Sequence, residues 1–231
     1  MKKQALVAAV SLIAPMALGA SSVFADTNSA STNVKANFTV SNTNNDNPTP
    51  NNPSGANPDQ PGSDENTNNP LQPTGNFSLA YIPYSFNFGN IELGTQGSLQ
   101  KNIELSGSNT LNVGVKDTQH NEAGWTLKAT FSGDLASNGA TIGTTAETAQ
   151  TYDAQNKLVP LANPDMITVT NHPSIGSQAQ LIMEGNQGNT FSGTYDLDLG
   201  TVSLNIPNVN QVNAGEKTGT VTWNLEQTPS N

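Results

Sequence analysis

Thr220-Val221-Thr222-Trp223-Asn224-Leu225-Glu226, close to the C-terminus, rhymes with Gly124-Trp125-Thr126-Leu127-Lys128 in mid-chain. Each stretch holds a tryptophan, one polar residue and a leucine, and the chain contains only these two tryptophans. Residues two apart in an extended strand point to the same face. Val221, Trp223 and Leu225 therefore share one face, opposite Thr220, Thr222, Asn224 and Glu226. In the earlier copy Trp125, Leu127, Ala129 and Phe131 oppose Thr126, Lys128 and Thr130. The pattern predicts two strands that each turn one apolar face to a shared core.

Shorter alternating runs surround these two. Phe77, Leu79 and Tyr81 alternate, as do Phe86 and Phe88 before Gly89-Asn90 shifts the phase to Ile91 and Leu93. Leu99, Ile103 and Leu105 keep one parity, and Leu111, Val113 and Val115 lead to the first tryptophan strand. Ile167 with Val169, then Ala179, Leu181 and Met183, then Val202, Leu204 and Ile206 supply the remainder. No window carries a sustained apolar stripe at helical spacing, and only residues 144–150 suggest one short helix. Many short strands broken by Gly, Asn, Asp and Pro predict an all-β antiparallel β-sandwich, Greek-key-like in its connections.

The ends and the linking regions read differently. Residues 1–25 have the form of a secretory signal peptide: Met1-Lys2-Lys3, an apolar run from Ala5, and Val23-Phe24-Ala25 ahead of Asp26. The apolar run falls short of the roughly 20 residues that a spanning helix needs. Residues 34–40 alternate cleanly, with Val34, Ala36, Phe38 and Val40 on one face, and predict an N-terminal strand segment, residues 26–40, that is expected to be part of the β domain. Residues 41–74 are rich in Asn and Pro with almost no large apolar side chain, which predicts a disordered loop or spacer. The β domain is expected over residues 75–231. The C-terminal residues carry neither an apolar tail nor a wall-sorting signal, so attachment to a surface is expected to be non-covalent.

Composition excludes several classes of function. The chain has no cysteine, hence no disulfide framework, thiolate metal site or cysteine nucleophile. Eight basic residues, all lysine, stand against eighteen acidic ones, a net charge of −10. Nucleic acid and anionic lipid both require clustered basic side chains, so neither is an expected partner. No phosphate-binding loop, nucleophile elbow or dinucleotide fingerprint is present. His120 and His172 lie in polar, turn-like settings and read as solvated loop residues. Asp196 and Asp198 fall on one strand face and read as solvated, with a calcium site or an acid–base pair the sharper alternatives. No catalytic constellation, metal site or cofactor is expected.

The paired Trp-x-Leu strands, with Thr228-Pro229 closing the second, resemble the WxL domain of Gram-positive surface proteins. Gly75 through Tyr81-Ile82-Pro83 to Phe88-Gly89 is similar to that family's opening block. Val113-Gly114-Val115-Lys116-Asp117-Thr118, running to Gly124-Trp125, is similar to its approach to the first motif. Family members commonly have arginine where this chain has Gln119, so a charge-assisted contact from that position is absent here. The resemblance implies a secreted, non-enzymatic domain that associates with the cell wall, with peptidoglycan as ligand. It also implies partners: other WxL-domain surface proteins and a membrane-anchored WxL-interacting protein. A rival reading is a protein–protein interaction subunit whose wall location is indirect. Trp125, Leu127, Trp223 and Leu225 are the candidate site residues, either facing a ligand or filling the core.

Overall fold

The computed structural model describes residues 31–41, 47–55, 64–72 and 75–228; the expected signal peptide lies outside them. The chain divides into two units, residues 1–40 and 41–231. In the first, residues 31–40 have no regular secondary structure, and Val34 and Phe38 are each 91% exposed. The strand expected at residues 34–40 does not form. Alternation gives a segment two chemically distinct faces, but a strand exists only when its N–H and C=O groups bond to a neighbouring edge.

In the second unit the described residues form fourteen strands, numbered along the chain, in three sheets. The six-stranded sheet runs β1 (Asn68–Pro70), β2 (Phe77–Pro83), β4 (Asn112–Asp117), β12 (Gly193–Asp198), β7 (Ala149–Tyr152), β8 (Leu158–Pro160). A second sheet runs β10 (Ser174–Ile175), β6 (Thr141–Gly143), β13 (Ser203–Ile206), β3 (Leu99–Asn102). The third runs β14 (Gly219–Gln227), β5 (Trp125–Gly133), β11 (Gln180–Gly185), β9 (Ile167–Val169). Every ladder between these strands is antiparallel. Most neighbours in a sheet are distant in sequence, and one buried cluster draws on all three sheets. The all-β antiparallel sandwich read from the sequence is the observed class.

Local details depart from the sequence reading. The helix is a single turn, α1 (Asp134–Ser137); residues 144–148 are irregular and 149–150 open strand β7. Thr144 N donates to Pro173 O, Thr145 N to Leu199 O, and Ala146 O accepts from His172 N. Threonine is a poor helix former, and these neighbouring loops satisfy the backbone groups that a helix would have used. Phe86, Phe88, Ile91 and Leu93 pack half-buried against the core, yet their segment joins no ladder.

The alternation Phe77–Leu79–Tyr81 is broken by a bulge. Leu79 pairs with Val115 but Tyr81 pairs with Gly114, leaving Ala80 as the extra residue. The inserted residue turns Tyr81 to the opposite face of the sheet. There its ring lies across Gly114, where a Cβ would come within 2.4 Å of Cζ. The phenol thereby reaches past β4 and donates to Asp196 Oδ1 at 2.6 Å.

That polar face is buried, so Asp196 is not the solvated residue that the sequence suggests. It is 1% exposed. Asn112 Nδ2 donates to both of its carboxylate oxygens, at 3.1 and 2.9 Å. Asn68 continues the network: its Nδ2 donates to Asn51 O at 2.6 Å and Thr110 O at 2.9 Å, and its Oδ1 accepts from Asn112 N at 2.7 Å. Much of the Asn/Pro-rich stretch expected to be disordered is therefore built into the domain. It supplies β1, buries Pro48 and Pro50, and anchors Asn47 through Nδ2 to Leu71 O at 2.7 Å. Asparagine amides act here as extra backbone-like donors and acceptors, ordering a segment that has little apolar surface to bury.

Burial pushes the Asp196 carboxyl up to about 6, against the opposing hydrogen bonds from Tyr81 and Asn112. The folded protein therefore holds this proton to higher pH than the unfolded chain does. Below about pH 4 both states are protonated and the group has no effect on stability. Between about pH 4 and 6 the unfolded chain releases its proton first, so stability falls as pH rises, and above that it levels off. The total is on the order of 3 kcal/mol. Urea denaturation from pH 4 to pH 7 is expected to show wild type losing stability relative to Asp196→Asn over that window, and parallel curves above it.

Candidate functional site

The two tryptophan motifs lie on adjacent strands. In the β14–β5 ladder Leu225 stands opposite Leu127, Trp223 opposite Ala129, and Gln227 opposite Trp125. Thr228 N donates to Gly124 O at 2.7 Å, which places the even-numbered residues of β14 at hydrogen-bonded positions. The odd-numbered Val221, Trp223 and Leu225 then occupy non-hydrogen-bonded pairs, where cross-strand side chains approach most closely. Each indole faces a small residue: Ala129 opposite Trp223, and Gly185 of β11 opposite Trp125. A Cβ on Gly185 would lie 2.3 Å from Trp125 Nε1. On its other side Trp125 meets Tyr195 of β12, with ring centroids 6.0 Å apart and planes tilted by 42°. That contact joins the third sheet to the six-stranded one.

Trp125 and Leu127 are sealed in the core, with no exposed surface. Trp223 and Leu225 pack against the same cluster while keeping part of their surface accessible. Of the two alternatives open in the sequence, Trp125 and Leu127 take the core one. Among the described residues neither Trp125 Nε1 nor the Tyr195 hydroxyl has a hydrogen-bond partner. The indole is held there by shape and apolar contact.

The opposite face of these strands is polar and accessible. Thr126, Lys128 and Thr130 of β5 are half-exposed, and Thr220, Thr222, Asn224 and Glu226 of β14 are exposed. Lys128 Nζ lies 2.9 Å from Glu226 Oε2, and Asn224 Nδ2 donates to Glu226 Oε1 at 2.7 Å. The Lys128 hydrogen bond, then its charge, then Asn224 hold the Glu226 carboxyl below its usual range. The result is a β surface of hydroxyl, amide and paired charged groups without an apolar side chain among these residues. Such a surface recognises ligands by hydrogen bonding. Strand parity in the sequence already places Lys128 beside Thr126 and Thr130, and Glu226 beside Thr222 and Asn224. What the sequence does not supply is the cross-strand register that brings Lys128 and Glu226 into contact.

Other candidates are dispersed. Asp198 is exposed and accepts from Gly200 N at 2.8 Å, and its charge adds a minor push to the raised carboxyl of the buried Asp196 on the same strand. His172 Nε2 lies 3.3 Å from Glu147 Oε1 in an exposed contact, and His120 sits at a left-handed turn with φ 51°. Among the described residues no three His, Asp or Glu side chains group as a metal site. Gln119 accepts from Gln227 Nε2 at 2.7 Å, tying the loop after β4 to the end of β14 through amides. An open groove of about 300 Å³ near α1 is lined by small and polar residues, none of them titratable.

The family whose model matches residues 25–229 is described as WxL domain surface cell wall-binding. No curated protein and no solved structure matches the chain. Among the described residues no helix is long and apolar enough to cross a membrane.

The geometry ranks the substitutions. Trp125→Ala is expected to cost about 3–5 kcal/mol through loss of packing and the cavity it leaves. Trp125→Phe should cost much less than Trp125→Ala, because no indole hydrogen bond is lost. Gly185→Ala should destabilise by roughly 1–3 kcal/mol, since the indole has no space to yield. Trp223→Ala, at a half-buried position, should cost less than Trp125→Ala. Urea unfolding monitored by the remaining tryptophan fluorescence and by circular dichroism checks this order.

Proposed function

Because the chain belongs to the WxL family of surface cell-wall-binding domains, we propose that it attaches non-covalently and without catalysis to peptidoglycan. In this reading the protein is secreted, and the Trp-x-Leu motifs build the sheet whose outer face binds. The row formed by Thr222, Asn224 and Glu226 on β14 and Thr126, Lys128 and Thr130 on β5 is the observation that carries it. Glycan strands offer hydroxyl and acetamido groups at spacings that such a row of side chains can follow, and hydrogen bonding supplies both affinity and orientation. Trp223 and Leu225, half-buried on the opposite face of the edge strand, keep accessible apolar surface for a sugar ring that reaches around that edge. The acidic balance of the chain disfavours anionic wall polymers and leaves a largely uncharged ligand as the better fit.

A second reading has its own support in β14, whose outer edge has no strand beside it among the described residues. There the chain is a subunit that binds surface proteins, among them other WxL-domain proteins or a membrane-anchored WxL-interacting protein, and reaches the wall through them.

Co-sedimentation of the chain from Asp26 onward with sacculi stripped of protein and teichoic acid separates the two. Saturable pelleting is expected. The double variant Thr222→Ala, Asn224→Ala, altered only at exposed positions, should bind about tenfold more weakly, the equivalent of one or two lost hydrogen bonds. Unchanged pelleting of the folded variant would remove this face as the binding surface. A folded wild-type protein that stays in the supernatant would leave the protein-partner reading.

A further inference from the structure

The six sheet edges of the second unit are very unequal. Five of them are β1, β8, β10, β3 and β9, of two to four residues each, and both edge strands of the six-stranded sheet contain proline. The sixth, β14, runs for nine residues with an unbroken register against β5, no proline and no bulge. Its even-numbered residues bond to β5, so the N–H and C=O groups of residues 221, 223, 225 and 227 point away from the sheet. Among the described residues nothing pairs with them. Natural proteins shorten, bend or charge such edges because they template pairing with other chains. This one is left open, with the half-exposed Val221, Trp223 and Leu225 along it.

The same chain carries an alternating segment that pairs with no strand among the described residues. Residues 34–40 alternate Val34, Ala36, Phe38 and Val40 with Lys35, Asn37 and Thr39, and all seven are exposed. We propose that residues 34–40 of one copy add as a strand to the open edge of β14 in a second copy, linking copies head to tail. The apolar set would extend the row of Val221, Trp223 and Leu225 and cover their accessible sides. The polar set, Lys35, Asn37 and Thr39, would extend the row of Thr222, Asn224 and Glu226 with further hydrogen-bonding side chains. Seven residues match the span from Val221 to Gln227 whose alternate N–H and C=O groups point outward, and main-chain hydrogen bonds with alternating side-chain contacts are the mode of strand addition. Donor and acceptor are different surfaces, so the contact is heterologous and propagates into rings or open chains of copies. This inference rests on the edge and the segment and is independent of what the outer face binds.

The chain has no cysteine, which makes covalent trapping unambiguous. Chains from Asp26 onward carrying Asn37→Cys would be mixed with chains carrying cysteine at position 220, 222 or 224 and then oxidised. Disulfide-linked heterodimers are expected at one or two of the three positions, with light scattering showing wild-type mass at least doubling as concentration rises. Phe38→Asp should remain monomeric with an unchanged tryptophan circular dichroism signal, since Phe38 lies outside the core. Wild-type mass equal to that of Phe38→Asp at every concentration would overturn the proposal. So would a chain bearing both cysteines that closes an intramolecular disulfide as a monomer, which would make the segment's acceptor its own β14.

Discussion

The meeting of Leu127 with Leu225 across two strands, flanked by Trp125 over Gly185 and Trp223 over Ala129, is the contact on which the third sheet depends. Register is what it fixes. A slip of one residue would turn Thr126 and Thr222 into the core and the tryptophans into water, a loss of several buried aromatic and aliphatic side chains at once. Because Trp125 also leans on Tyr195, the same registration sets how the third sheet meets the six-stranded one. The motif thus works as a ruler for the fold, and the polar surface on the other side of the strands inherits its spacing from that ruler.

The six-stranded sheet is held differently on its second face. Its inner residues, such as Val113, Val115 and Leu197, join the common apolar cluster. Its other face is secured by hydrogen bonds through Tyr81, Asp196, Asn112 and Asn68. The two faces respond to different conditions, the first to apolar packing and the second to the protonation of one carboxyl. A single bulge residue, Ala80, makes the second face possible by redirecting Tyr81.

The parts of this structure written in alternation were legible in the sequence. Trp125 through Phe131 and Val221 through Leu225 turned the expected faces inward, and the all-β class followed from many such runs. What alternation cannot encode was lost. Composition gave no sign that Asn68 and Asn112 would exchange hydrogen bonds across forty-four residues, because that depends on tertiary proximity. The bulge after Leu79 inverted Tyr81, and a clean alternation at residues 34–40 produced no strand for want of a neighbouring edge. Of the candidate site, the tryptophans were visible as a pair, but whether each was sealed or accessible depended on position in the sheet. β5 is interior and β14 is at the margin.

The separation along the chain between β5 and β14 has a consequence for how the domain comes to exist. Lys128 and Glu226 are neighbours across the ladder yet ninety-eight residues apart in sequence. Until the last strand has been synthesised, β5 has only β11 beside it and its other edge stands bare. Assembly of the core therefore waits on one late, long-range event, and contacts of such separation place a protein among slow folders, in the millisecond-to-second range or beyond. During that interval the chain resembles a zip fastener open at one side, whose closing tooth is the Leu127–Leu225 pair.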